Sequence, residues 1–312
     1  MRIDRREWLA GLGAMLCCMP RRATAQMLAH PGWRGNGITH QPWWKSAVVY
    51  RAAASEMAAG DDAALDARMD AIRALGVDAV WVFQAADVQA LEPVLQRAGA
   101  RRLRVMVDLD REVTSGDASV LERLNFWLVR GVAGLYSEVA WPAPMQARMR
   151  ATARRFAGER VLYGPAFLPL TRVELRGGEM AAMGEAVEKL LPSAPVALCV
   201  QEENKAQWAW VAQAVSLRRS VDVQGGTVVK TDDPQARVML WPRASRAGGA
   251  VVLARNLSGT PRVLRLRAQV NGMDVRGSFL RPLLRNDGGM GGMNLDEVRL
   301  PAFGVFVGEV RS

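Results

Sequence analysis

Histidine, the usual side chain for proton transfer near neutral pH, occurs twice in this 312-residue chain, as His30 and His40. Both precede the first apolar run that can form a strand, so the body of the fold has no imidazole to use as a base, a triad member or a zinc ligand. That excludes Ser-His-Asp and Cys-His nucleophilic catalysis and most zinc chemistry, and no metal is expected. No cofactor is expected either. The glycines of residues 286–294 neither follow a parallel-type strand nor open a helix, as a phosphate-cradling loop must. Cys17 and Cys18 lie near the N-terminus, and Cys199 stands alone in an apolar stretch, residues 196–200, where it reads as a buried inert thiol. Glu202 and Glu203 follow that stretch directly. Adjacent residues at a strand end send their side chains in different directions, so at most one of the two faces a shared site.

The elements that must position such residues repeat with a regular beat. Residues 47–50, 79–83, 103–109, 134–139, 160–163 and 195–200 are short apolar runs rich in Val, Leu and aromatics. Helical patterns separate them, at residues 61–75, 87–98, 120–130, 144–156 and 178–191. Strands alternating with helices at this spacing predict βα units and a parallel sheet. Residues 205–219 form one more amphipathic helix, with Trp208, Trp210 and Val211 available for one face. From residue 221 the pattern becomes β, with runs at 227–230, 237–241, 250–256, 263–266 and 303–307. A domain boundary therefore falls near residue 221.

The N-terminal 25 residues read as an export signal. Arg5-Arg6-Glu7-Trp8-Leu9 is a twin-arginine pattern, residues 10–19 are weakly apolar, and Ala23-Thr24-Ala25 supplies small residues for cleavage. The expected location is the bacterial periplasm or beyond. Residues 26–46 form an irregular arm, and no run approaches the roughly 18 apolar residues of a membrane span. The formal charge is +10, partly carried by Arg2, Arg5, Arg6, Arg21 and Arg22 in the signal. The remaining arginines are scattered over helical patterns with no basic run, so nucleic acid is not an expected partner.

Pro42-Trp43-Trp44-Lys45-Ser46-Ala47-Val48-Val49-Tyr50, followed by Ala71-Ile72-Arg73-Ala74-Leu75-Gly76-Val77-Asp78-Ala79-Val80-Trp81, resembles the opening of the α-amylase family, glycoside hydrolase family 13. Arg104-Val105-Met106-Val107-Asp108-Leu109, Asn125-Phe126-Trp127 with Gly131-Val132-Ala133-Gly134, and Arg160-Val161-Leu162-Tyr163-Gly164 resemble later family blocks, in family order. Val251-Val252-Leu253-Ala254-Arg255-Asn256 and Leu300-Pro301-Ala302-Phe303-Gly304-Val305 are similar to the family's β-sandwich. The resemblance covers nearly all of residues 42–310.

That resemblance implies retaining chemistry at an α-glucosidic bond, which needs a carboxylate nucleophile and a second carboxylic acid about 5 to 5.5 Å away. The nucleophile position falls on Glu138, and the family arginine before it falls on Tyr136. The general acid falls on Pro165, which has no proton to give. Glu203 matches the third carboxylate, beside Glu202, and Asp108 is the retained aspartate that holds strand ends together. Trp141 is the aromatic candidate for stacking on a sugar. Trp43, Trp44, Trp81 and Trp127 sit at core-like positions, and a salt-bridged Glu138, with Arg104 or another arginine, is the structural alternative to a working nucleophile.

Residues 47–220 fall well short of the about 250 residues of a complete eightfold barrel. The expected fold is thus α/β: an incomplete (β/α) TIM-type barrel over residues 47–220, lacking an eighth strand after Val200, followed by an all-β sandwich over residues 221–312. Its open strand edge must be covered by the arm, the sandwich or a partner. The expected function is that of an exported, catalytically impaired or inactive homologue that binds an α-glucan or oligosaccharide or a protein partner. The alternative is an active glycoside hydrolase or transglycosidase using Glu138 with Glu203 or Glu202.

Overall fold

The computed structural model describes residues 42–84, 88–109, 117–175, 179–191, 195–200, 205–221, 226–242, 244–245, 249–271, 273, 275–289 and 291–311. The twin-arginine segment, most of the arm, Glu202 and Glu203 lie outside the described residues.

Seven short strands build one parallel sheet: β1 (Val48–Ala53), β2 (Ala79–Phe83), β3 (Arg104–Asp108), β4 (Gly134–Tyr136), β5 (Val161–Tyr163), β6 (Thr171–Leu175) and β7 (Val196–Val200). Helices α1 (Ala54–Ala58) and α2 (Asp62–Ala74) follow β1. Next come α3 (Val88–Ala100), α4 (Asp117–Val129), α5 (Ala143–Ala153), α6 (Met180–Leu190) and α7 (Lys205–Ser220). Helix α2 shows why these segments coil. The Asp61 carboxylate accepts the Ala64 N–H at 2.9 Å and caps the first turn. Leu65, Met69 and Ile72 then recur on one buried face, and Gly76, at φ +79°, turns the chain into β2.

The sheet runs β5-β4-β3-β2-β1-β7-β6, with every pairing parallel. Its outer face packs Val80, Val82, Val105 and Val107 against Ile72, Leu124 and Trp127 of the helices. Its inner face closes over a smaller core of Val49, Trp81, Met106, Tyr136, Tyr163 and Ala197. Trp81 and Trp127 are fully buried, whereas Trp43 and Trp44 are only half-buried at the rim of that inner core.

The barrel is incomplete, but its break is not where a lost eighth strand would put it. Strand β7 pairs with β1 over Val48↔Val196, Val49↔Ala197 and Tyr50↔Leu198, which fills the closing position. The break lies between β5 and β6, which follow one another in the chain but do not pair. The chain joins them through residues 164–170 with no helix, too short a connection for a parallel crossover. This loop covers the β5 edge itself: Leu168 N–H donates to the Leu162 carbonyl at 3.3 Å, and Gly164 N–H donates to the Leu168 carbonyl at 3.0 Å. Phe167 packs on the outer core while Leu168 and Leu170 pack on the inner one. On the β5 side, the edge that called for an arm, a sandwich or a partner is thus met by the chain's own loop.

Beyond α7 the chain is β. A six-stranded antiparallel sheet comprises β8 (Thr227–Val229), β9 (Ala236–Trp241), β10 (Val251–Asn256), β12 (Phe279–Arg285), β13 (Met293–Asn294) and β15 (Val305–Arg311). A two-stranded sheet pairs β11 (Arg262–Leu264) with β14 (Val298–Leu300), and α8 (Arg267–Asn271) lies between β11 and β12. Val238, Leu240, Val252, Leu264, Leu300 and Phe306 fill the core of this β region. Its other face abuts the helices of the barrel. Glu188 of α6 accepts from Arg255 at 2.7 Å, and the Trp210 indole N–H donates to the Arg285 carbonyl at 3.2 Å. Among the described residues no helix is long and apolar enough to cross a membrane.

Candidate functional site

In a (β/α) barrel the reacting groups sit at the C-terminal ends of the strands, and here that end collects charged and aromatic side chains on the inner face. Alternation in β1 puts Tyr50 and Ala52 in the outer core and turns Arg51 inward. Its guanidinium stacks 3.6 Å from the Phe83 ring centre and 4.9 Å from that of Trp81. In β6, Val173 and Leu175 face the outer core, so Arg172 and Glu174 face the other way. The Arg172 guanidinium lies 5.0 Å from the Tyr136 ring centre and 5.4 Å from that of Trp81. Trp81 and Tyr136 themselves pack with ring centres 4.4 Å apart. Sequence reading missed both arginines. Their signal was a single charged residue inside the apolar run of β1 and the strict alternation of β6.

Glu138 follows β4 with its side chain 60% exposed, and it forms an ion pair with Arg172. Partial burial pushes its carboxyl up, but the hydrogen bonds from Arg172 and from the Tyr136 hydroxyl outweigh this, so Glu138 titrates below the ordinary glutamate range. The same contact raises the Arg172 guanidinium against the opposing pull of burial. Tyr136 moves up, first through burial and then through its bond to Glu138. Arg104, at the N-terminal end of β3, instead stacks on Trp43 at the far end of the barrel.

Asp108 ends β3 and accepts the Trp81 indole N–H at 2.7 Å and the Gln84 backbone N–H at 3.1 Å, which ties β3 to the turn after β2. Trp141 is half-buried, and its indole N–H donates to the Ser137 hydroxyl at 2.7 Å. Pro165 is exposed in the loop that replaces a strand, immediately beyond Gly164. Gly164 sits at φ +129°, and a Cβ there would lie 1.9 Å from the Ser137 carbonyl oxygen. Only glycine lets the loop pass this close to β4. Cys199 is half-buried, not enclosed: the inner face beside β1 places its Sγ 4.0 Å from an Arg51 Nη. Burial raises the thiol, and nearby Arg51 draws it back only in part.

The structure therefore brings Glu138, Tyr136, Asp108 and Trp141 to one end of the barrel, together with Arg51 and Arg172. Glu202 and Glu203 follow β7, the strand next to β1, and lie outside the described residues. Among the described residues, the carboxyl groups with a resolved shift, Asp70, Glu138, Asp287 and Glu309, all move downward. A general acid for glycoside cleavage needs the opposite. No group of three metal-ligating side chains occurs among the described residues.

No protein-family model and no curated protein sequence matches this chain. Solved structures do. The isomaltulose synthase of Klebsiella sp. LX3 superposes with a TM-score of 0.60 at 8% identity, over 87% of this chain and 100% of that one. An α-amylase from Lactobacillus plantarum gives 0.60 at 10% identity, over 86% and 100%. The trehalulose synthase MutB of Pseudomonas mesoacidophila MX-45 gives 0.59 at 10%, over 87% and 100%. At such identities the likeness is one of fold. A parallel barrel broken between β5 and β6 and continued by antiparallel sheets is the fold that this chain shares with these solved enzymes, an α-amylase among them.

Proposed function

We propose that the protein handles carbohydrate without cleaving it, binding an α-glucan at the C-terminal mouth of its barrel. The observation that carries this reading is the state of Glu138. At the position the resemblance gives to the nucleophile, the carboxylate is held by a guanidinium and a tyrosine hydroxyl and keeps its charge, while Pro165 replaces the acid. Loss of proton donation alone removes a factor of roughly 100 to 10,000. An attacking oxygen displaced by the extra methylene of Glu removes on the order of 100-fold more. The half-buried aromatic surface of Trp141 suits the apolar face of a sugar ring. The solved relatives support the carbohydrate part of the reading, since one trehalulose synthase was crystallised with its substrate sucrose.

The proposal includes twin-arginine export to the periplasm, on the strength of Arg5-Arg6-Glu7-Trp8-Leu9. A reporter fused behind residues 1–25 and assayed in cells with and without a twin-arginine translocase tests that part. The binding part is tested by titrating the purified protein with maltooligosaccharides while assaying release of reducing sugar. Saturable binding without turnover is the expected result. Turnover abolished by Glu138→Gln would overturn the reading and establish a rebuilt carboxylate pair.

A further inference from the structure

The opposite end of the barrel holds a cleft of about 500 Å³ with a different character. Trp43, Arg104, Arg130, Glu159 and Arg160 line it, around a floor that includes Gly131. Three guanidiniums thus share a cleft with one carboxylate, one oxygen of which already accepts the Trp43 backbone N–H at 3.1 Å. None of the three arginines forms an ion pair with a described residue. Several other arginines are met by acids, as Arg97 and Arg101 are by Asp62, Asp66 and Asp70, and Arg281 and Arg311 by Glu309.

The local contacts leave donors to spare. Arg104 lies over the Trp43 ring, 4.6 Å from its centre, and Arg130 over the Phe126 ring at 3.6 Å. A guanidinium stacked through its face keeps its in-plane N–H groups for an acceptor at its edge. Arg130 spends one of them on the Phe126 carbonyl, at 3.1 Å. Among the described residues Arg160 makes only a long contact to the Gly131 carbonyl, at 3.4 Å, and its buried Nε has no partner. Burial draws the Arg160 guanidinium downward, as expected of a cation that lacks a counter-ion.

We infer that this basal cleft is a binding site for a phosphate group, free or carried on a small ester. A phosphate monoester brings nearly two negative charges and three strong acceptor oxygens, which matches three guanidinium edges better than a single carboxylate does. The site is remote from the mouth and does not depend on glucan binding there.

The test is calorimetric titration of the full chain with inorganic phosphate and with a hexose phosphate, in about 0.15 M sodium chloride, where loose attraction is screened beyond about 8 Å. One saturable site is expected, with dissociation constants near or below about 1 mM. Arg130→Gln, at an exposed side chain that leaves the fold intact, weakens it about tenfold, as does Arg130→Lys, which keeps the charge but loses the fork. Tighter binding of the ester than of inorganic phosphate assigns the site to esters, and equal binding assigns it to the free ion. Absence of saturable binding in the wild type, or affinity unchanged in both Arg130 variants, would overturn the inference. The maltooligosaccharide titration is unaffected by these variants, so failure of either site is seen separately.

Discussion

Arg172 and Glu138 meet across the gap in the barrel: one belongs to β6, the first strand beyond the break, and the other follows β4, the second strand before it. The pair links the two sides of an open wall at the height where a sugar would bind. It also occupies the one described carboxylate that the resemblance makes a nucleophile.

The pair is exposed, with side chains 38% and 60% accessible, so its contribution to stability is small. Arg172→Ala is expected to cost under about 1 kcal/mol in urea unfolding. It should also leave reducing-sugar release at background, because freeing Glu138 supplies no acid. Turnover appearing in Arg172→Ala would show that the ion pair alone suppresses catalysis.

The pH dependence follows in sign from the lowered Glu138 carboxyl. A depressed native value means that the stabilisation is present above the ordinary value of 4.5 and is lost as pH falls through the native one. Melting temperature should therefore drop somewhat more steeply below about pH 4.5 in the wild type than in Arg172→Ala. Parallel curves for the two proteins would contradict it.

Gly164→Ala should destabilise the protein by about 2 kcal/mol or more, since the new Cβ meets the Ser137 carbonyl and the positive φ disfavours any side chain. Chemical denaturation measures this directly. An alanine tolerated without loss would mean that the loop does not pass over β4 as described.

Glu188 joins the barrel to the β region by accepting from Arg255, with both side chains nearly buried at 13% and 12% accessible. Glu188→Ala leaves Arg255 without its counter-ion and is expected to cost about 3 kcal/mol. Urea denaturation of the two proteins measures the loss.

Trp141→Ala should weaken maltooligosaccharide binding about tenfold, the equivalent of about 1.4 kcal/mol, while changing the melting temperature little. Unaltered affinity would remove Trp141 from the binding surface.

Much of this was legible from the residues themselves. Periodicity alone separates the βα units from the β region, because buried parallel strands read as continuous apolar runs and helices as stripes. The run at 79–83 becomes β2 with those same bounds. Strands β12, β13 and β14 escaped notice. They are short or interrupted by Pro282 and arginines, and they gain their pairing from β15, from β11 and, for β13, from β12 more than from their own propensity.

What the amino-acid sequence determined is composition and order: no histidine in the body of the fold, Glu138 and Pro165 at the positions where the resemblance expects a nucleophile and an acid, and too few residues for eight βα units. What only the tertiary structure decided is adjacency. A lost strand can fall anywhere round the barrel at equal cost in length, and the pairing of β7 with β1 places the break after β5. The partner of Glu138 was equally beyond sequence reading, since Arg172 lies 34 positions away, and nothing in local periodicity says which arginine a curled sheet brings to a given carboxylate. Register and closure are set by contacts between distant segments, and these fixed the site.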